Sequence, residues 1–122
     1  MTAVLDASAL LAFLASEAGA EVTEEALLSG ARCSAVNWSE VAQKVRATGA
    51  DWTVAASLLA SYDLDVEPAS LEDAERAAHL WKRGSGLSLA DRFCLALGDR
   101  LDATVFTADS AWGSTGRIRQ IR

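Results

Sequence analysis

The sequence predicts an α/β fold, a three-layer α/β/α sandwich with a central parallel sheet. Two observations carry this. Short apolar runs alternate with segments of helical periodicity along the chain, the pattern of parallel strands joined by crossover helices. No repeat and no long linker interrupts that alternation, and 122 residues lie near the usual domain size. A single domain over residues 1–122 is expected. The chain is 51% apolar and 23% charged, which supports a core and excludes a disordered chain.

Ala3-Val4-Leu5 reads as the first strand, closed by Asp6. Residues 8–16, rich in Ala and Leu, read as a helix that Gly19 breaks. Residues 20–28 form a second helix, and residues 32–36 a second strand. Asn37 then opens a helix in which Trp38, Val41, Ala42 and Val45 recur at i, i+3, i+4, i+7. Trp52, Ala55, Ala56 and Leu59 make the next stripe. Leu64-Asp65-Val66, followed by Pro68, suits an edge strand. Residues 70–82 read as a helix, Gly84-Ser85-Gly86 as a loop, and Ser88 as the start of another helix. Residues 103–106 read as a strand ended by Thr107-Ala108-Asp109, and residues 118–121 as the last strand.

Composition narrows the chemistry. A net charge of −6 argues against gripping nucleic acid by bulk charge. His79 is the one histidine, so a two-histidine ribonuclease and a His-rich zinc site are excluded. Gly-rich phosphate loops and Gly-x-Ser-x-Gly elbows are absent. Cys33 and Cys94 make no disulfide framework. The longest apolar run, residues 7–15, is short of the ~20 residues of a membrane helix, and no basic segment precedes it. A cytoplasmic protein with no membrane partner is expected. The remaining tools are carboxylates.

Four acids share one place in the strand–helix pattern. Asp6 and Asp109 end strands, while Glu40 and Asp91 fall in first helical turns. In an open parallel sheet, loops beyond the strands' carboxyl ends line the ligand crevice. Four converging carboxylates repel one another. A hard cation such as Mg2+ relieves that repulsion, activates water and stabilises a leaving oxygen in phosphodiester cleavage. The plainer reading stands beside this one. Asn37-Trp38-Ser39-Glu40 and Ser88-Leu89-Ala90-Asp91 both have the form of capping boxes, and Asp6 and Asp109 that of caps or turn residues.

Four stretches carry a resemblance: Val4-Leu5-Asp6-Ala7-Ser8-Ala9-Leu10, Ser34-Ala35-Val36-Asn37-Trp38-Ser39-Glu40-Val41, Leu87-Ser88-Leu89-Ala90-Asp91-Arg92-Phe93-Cys94, and Val105-Phe106-Thr107-Ala108-Asp109. In this order and spacing the chain resembles the PIN-domain ribonucleases, and among them the VapC-type toxins of toxin–antitoxin pairs. The resemblance implies strand order 3-2-1-4-5 and a metal-binding quartet of Asp6, Glu40, Asp91 and Asp109, holding Mg2+ or, in its place, Mn2+. Ser8 and Thr107 match hydroxyl residues that orient the carboxylates or water; a helix cap and a turn residue are their simpler roles. Ser110 stands where relatives often carry a basic residue. A homodimer is implied, with a cognate antitoxin that assembles with it into a heterotetramer or larger complex.

Other residues keep two readings. Arg92 reaches a substrate phosphate from the rim or forms a surface ion pair. Trp112 is the tryptophan to test for substrate or partner contact, whereas Trp38 and Trp52 lie on core stripes. Arg117, Arg119 and Arg122 form a small basic tail. Leu10, Leu11, Leu14, Leu27 and Leu28 exceed what one buried face needs, which points to partners. The function expected is a metal-dependent endoribonuclease toxin acting on an RNA substrate and leaving a 5′-phosphate and a 3′-hydroxyl. The alternative is a catalytically silent partner-binding PIN-like module. An Asp-x-Asp phosphatase is disfavoured, because Asp6-Ala7-Ser8 lacks the second Asp.

Overall fold

The computed structural model describes residues 2–122. Its strands are β1 (Ala3–Leu5), β2 (Ala31–Ser34), β3 (Asp65–Glu67), β4 (Thr104–Thr107) and β5 (Ile118–Gln120). Its helices are α1 (Ala7–Leu14), α2 (Ala20–Leu28), α3 (Ala35–Ala47), α4 (Trp52–Ser61), α5 (Leu71–His79) and α6 (Leu89–Leu101), with a 3₁₀ turn at Ser110–Trp112. All sheet pairings are parallel, in the order β3-β2-β1-β4-β5. Central β1 sets Ala3 against both Ala31 and Thr104, and Leu5 against Phe106.

Alternation along the strands divides the core. Ala3, Leu5, Cys33 and Phe106 pack with residues of α1 to α4. Val4 and Val105 point the other way, onto Cys94 and Leu97 of α6. The α/β/α sandwich follows from this two-residue period. Cys33 and Cys94 are free and buried. No helix among the described residues is long and apolar enough to cross a membrane.

Several boundaries differ slightly from the sequence reading, and three differences matter most. The chain becomes helical at Ala35, because Ser34 keeps extended backbone angles and its hydroxyl accepts the Val36 N–H at 3.2 Å. Asn37 is therefore inside the first turn of α3 rather than its cap, and Glu40 is in the second turn. The helix expected over residues 70–82 stops at His79. Strand β4 runs on through Thr107, so Asp109 lies beyond it and caps the 3₁₀ turn.

Gly98 has a packing reason that no sequence pattern shows. A Cβ there would collide with the Val105 Cγ2 methyl. Its absence lets α6 close onto β4.

Candidate active site

Asp6 is the single residue between β1 and α1. Its N–H still follows the strand, donating to Phe106 O at 3.1 Å. Its side chain already belongs to the helix, where Oδ1 accepts the Ala9 N–H at 2.8 Å. Direct passage from strand to helix thus places a carboxylate at the end of β1, where the strand order reverses.

That carboxylate is 4% exposed. Ser8 Oγ donates to it, at 2.7 Å from Oδ1 and 2.9 Å from Oδ2, and Thr107 Oγ1 donates to Oδ2 at 2.6 Å. Each hydroxyl is itself oriented by the exit of β4. Ser8 Oγ accepts the Ala108 N–H at 2.8 Å, and Thr107 Oγ1 accepts the Asp109 N–H at 3.0 Å. Burial pushes the Asp6 carboxyl up to about 6, the three hydrogen-bonding groups pull it down, and the charge on Asp91 adds to the rise.

Glu40 and Asp91 approach on neighbouring helices. Asn37, 1% exposed, donates through Nδ2 both to Glu40 Oε1 at 3.0 Å and to Ala90 O at 3.1 Å. It ties the acid of α3 to the first turn of α6. Asp91 closes a capping box: Ser88 N–H donates to its Oδ2 at 3.0 Å, and its own N–H donates to Ser88 Oγ at 3.1 Å. The buried Cys94 thiol, one turn along α6, is pushed well above its usual range, first by burial and then by the charges of Asp6, Cys33, Asp91 and Glu40. Glu40, through Asn37, and Asp91 therefore both lie at the start of α6. Asp109 stands apart: it is exposed and its Oδ1 accepts the Ala111 N–H at 2.9 Å.

The family model described as "PIN domain" matches residues 3–118. The chain belongs to the PIN domain family. Among solved structures, this PIN domain is similar to a toxin-antitoxin complex from Klebsiella pneumoniae, with TM-score 0.79, 19% identity and coverage of 98% of each chain. It is also similar to Mycobacterium tuberculosis VapC20, described as a Sarcin-Ricin loop cleaving toxin, with TM-score 0.68, 18% identity, and coverage of 91% of this chain and 95% of that one. No curated protein matches the sequence.

The donor set of this PIN domain suits a hard divalent cation in kind. It offers carboxylate oxygens only. Among the described residues the ion-paired acids are Asp65, Glu67, Asp73, Asp99 and Asp102, and none of the four candidate acids is among them. A buried carboxylate beside another carboxylate, with no cation of its own, is a charge arrangement that Mg2+ or Mn2+ relieves. The shell is not drawn together: among the described residues no three His, Cys, Asp or Glu side chains stand close enough to hold a metal ion. Glu40 and Asp91 are hydrogen-bonded back onto their own helices.

The two side chains expected at the substrate have these surroundings. Trp112 is 7% exposed and packs against the cluster of Val4, Cys94 and Leu97, so its ring is closed to a stacking base. The 3₁₀ turn that Asp109 caps carries it inward. Among the described residues Arg92 forms no ion pair: Nη1 donates to Ala77 O at 2.8 Å, tying α6 to α5. Trp38 and Trp52 meet edge to face with centroids 5.0 Å apart, half-buried against the core. In the basic tail, Arg117 is held by Asp99 and Asp102, and Arg119 lies over the Phe106 ring. Of the apolar excess, Leu10 and Leu27 are buried and Leu28 is exposed, while Leu11 and Leu14 line an open groove.

Asn37 is the residue the sequence reading missed as part of the site. The signal was present: it shares the buried stripe of α3 with Val41 and Val45. A polar side chain on an apolar stripe needs a buried partner.

Proposed function

We propose that this PIN domain is the ribonuclease toxin of a toxin–antitoxin pair, cleaving RNA phosphodiester bonds with the help of Mg2+ or Mn2+. The observation that carries the reading is Asp6: a buried carboxylate at the sheet's switch point, held by three hydrogen-bonding groups and lacking a cation. Asp6, Glu40 and Asp91 would hold the ion, with Asp109 at the rim. A divalent ion bound there supplies neutralisation of phosphate charge and a nucleophilic water at neutral pH. The chain's own part is orientation. Ser8 and Thr107 fix both oxygens of Asp6, and Asn37 holds Glu40 against the helix that bears Asp91.

Two further features support the toxin reading. The Klebsiella structure is described as a toxin-antitoxin complex and VapC20 as a Sarcin-Ricin loop cleaving toxin. An open groove of about 640 Å³, lined by Leu11, Leu14, Val45, Val54 and Leu58, runs between α1, α3 and α4. Its apolar walls suit an antitoxin segment or the second subunit of a homodimer.

The local hydrogen bonds of Glu40 and Asp91 favour one rival, a silent partner-binding module. Incubating total cellular RNA with purified protein in Mg2+, Mn2+ or EDTA, beside Asp6→Asn and Asp91→Asn, separates the two. Metal-dependent cuts that vanish in both variants support the ribonuclease. Intact RNA in every lane, together with no cation binding, selects the silent module.

A further inference from the structure

The loop between α5 and α6 concentrates what the rest of the surface lacks. Trp81 is 56% exposed, and the Arg83 guanidinium lies 5.6 Å from its ring centroid. Lys82 and Arg83 are both exposed. Elsewhere Arg32, Arg76, Arg100 and Arg117 are paired with carboxylates, and Arg92 and Arg122 donate to backbone carbonyls. Among the described residues, Lys82 and Arg83 have no carboxylate partner, in a chain of net charge −6.

The fold sets this loop at the end of α6 that carries Asp91. Asp73, at the start of α5, pairs with Arg100 near the end of α6, and Ala77 receives Arg92 from the start of α6. The two helices are therefore antiparallel. The end of α5, the loop and the start of α6 share the end of the molecule where Asp91 and Ala90 meet α3. Among the described residues, the other cations without carboxylate partners or backbone ties are Lys44 and Arg46, in the last turn of α3 at the far end from Glu40, and Arg119, which lies over the Phe106 ring. The loop is also folded back on itself: Trp81 N–H donates to Ala78 O, Ser85 N–H to Lys82 O, and Leu87 N–H to Ser85 Oγ.

An exposed indole carrying a guanidinium, with a second free cation next to it, has the elements of a single-strand nucleic-acid platform, a stacking surface flanked by phosphate contacts. We propose that Trp81, Lys82 and Arg83 receive single-stranded RNA, one base stacking on Trp81 and the flanking phosphates meeting the two cations, and so lead the strand to the pocket of Asp6, Glu40 and Asp91. This rests on the ribonuclease reading.

The test is a fluorescence-anisotropy titration of the full chain with a labelled single-stranded RNA twelve-mer over a salt series, alongside cleavage kinetics. Trp81→Ala should weaken binding about 5- to 150-fold, with Trp81→Phe close to wild type. Changing both Lys82 and Arg83 to Ala should lower the slope of log K against log salt by about 1.4. In cleavage these variants should raise KM and leave kcat unchanged. Wild-type binding and salt slope retained in all three variants would overturn the platform and leave the ribonuclease standing. A variant that loses a co-purified acidic protein partner but not RNA would also overturn it. Failure of the wild type to bind or cut any RNA would overturn both.

Discussion

Thr107 Oγ1 donates to Asp6 Oδ2 at 2.6 Å, joining the ends of β4 and β1 across 101 positions of sequence. The same hydroxyl oxygen accepts the Asp109 N–H, so the backbone leaving β4 turns its proton toward the acid. Removing that donor in Thr107→Val should raise the Asp6 pKa further. A hydrogen bond to a charged group is worth roughly 1.5–3 kcal/mol, which is roughly one to two pH units. In EDTA, the Asp6 carboxyl titration followed by NMR should move to higher pH by about a unit. Superimposable titrations for Thr107→Val and wild type would count against this role.

Asp6 also sets a pH dependence of stability. Its folded pKa, about 6, lies above the ordinary value of 3.8. The fold therefore favours the protonated form. This group's contribution is complete below about pH 4 and is lost as pH rises through about 6. Asp6→Asn should be more stable than the cation-free wild type at pH 8, by up to about 2–3 kcal/mol, with the gain gone at pH 4. Urea unfolding at the two pH values, in EDTA, reads it directly.

Asn37 is expected to act through Glu40. Asn37→Ala should reduce cleavage about tenfold or more, because the acid loses its tether to Ala90. The same substitution in a Glu40→Gln background should add little. A double-mutant cycle on kcat measures this, and strictly additive losses would show that Asn37 serves packing alone.

Gly98→Ala tests the approach of α6 to β4. Helix propensity alone predicts a gain of up to about 1 kcal/mol. The collision with Val105 predicts a loss of about 1–3 kcal/mol, and the collision should prevail. Chemical denaturation decides the sign.

Leu14→Asp places a charge in the apolar groove. It should weaken capture of the antitoxin or dissociate a homodimer without abolishing RNA cleavage. Light scattering and pull-down measure the two. Unchanged mass with unchanged capture would remove the groove from the account.

How far the sequence carries differs from residue to residue. The strand–helix alternation and the stripes of α3 and α4 are legible because burial imposes a period on each element. The placement of Asp6 at the carboxyl end of β1 is legible because chain turns at strand ends lie on one side of a parallel sheet. The start of α3 was misread because Ser34 and Asn37 are both good caps, and only the extended backbone at Ser34 selects one. Trp112 was misread because its Gly-rich surroundings resemble a surface loop, while the cap from Asp109 turns it inward. The Asn37 tether and the Gly98 contact depend on which helix lies opposite, and no local pattern encodes that.

A divalent cation is proposed to sit on Asp6. Calorimetric titration of Mn2+ into the purified protein at pH 7.5, beside Asp6→Asn, tests it most directly. The account predicts saturable binding in the wild type that is absent from Asp6→Asn. Identical isotherms for the two proteins would contradict it.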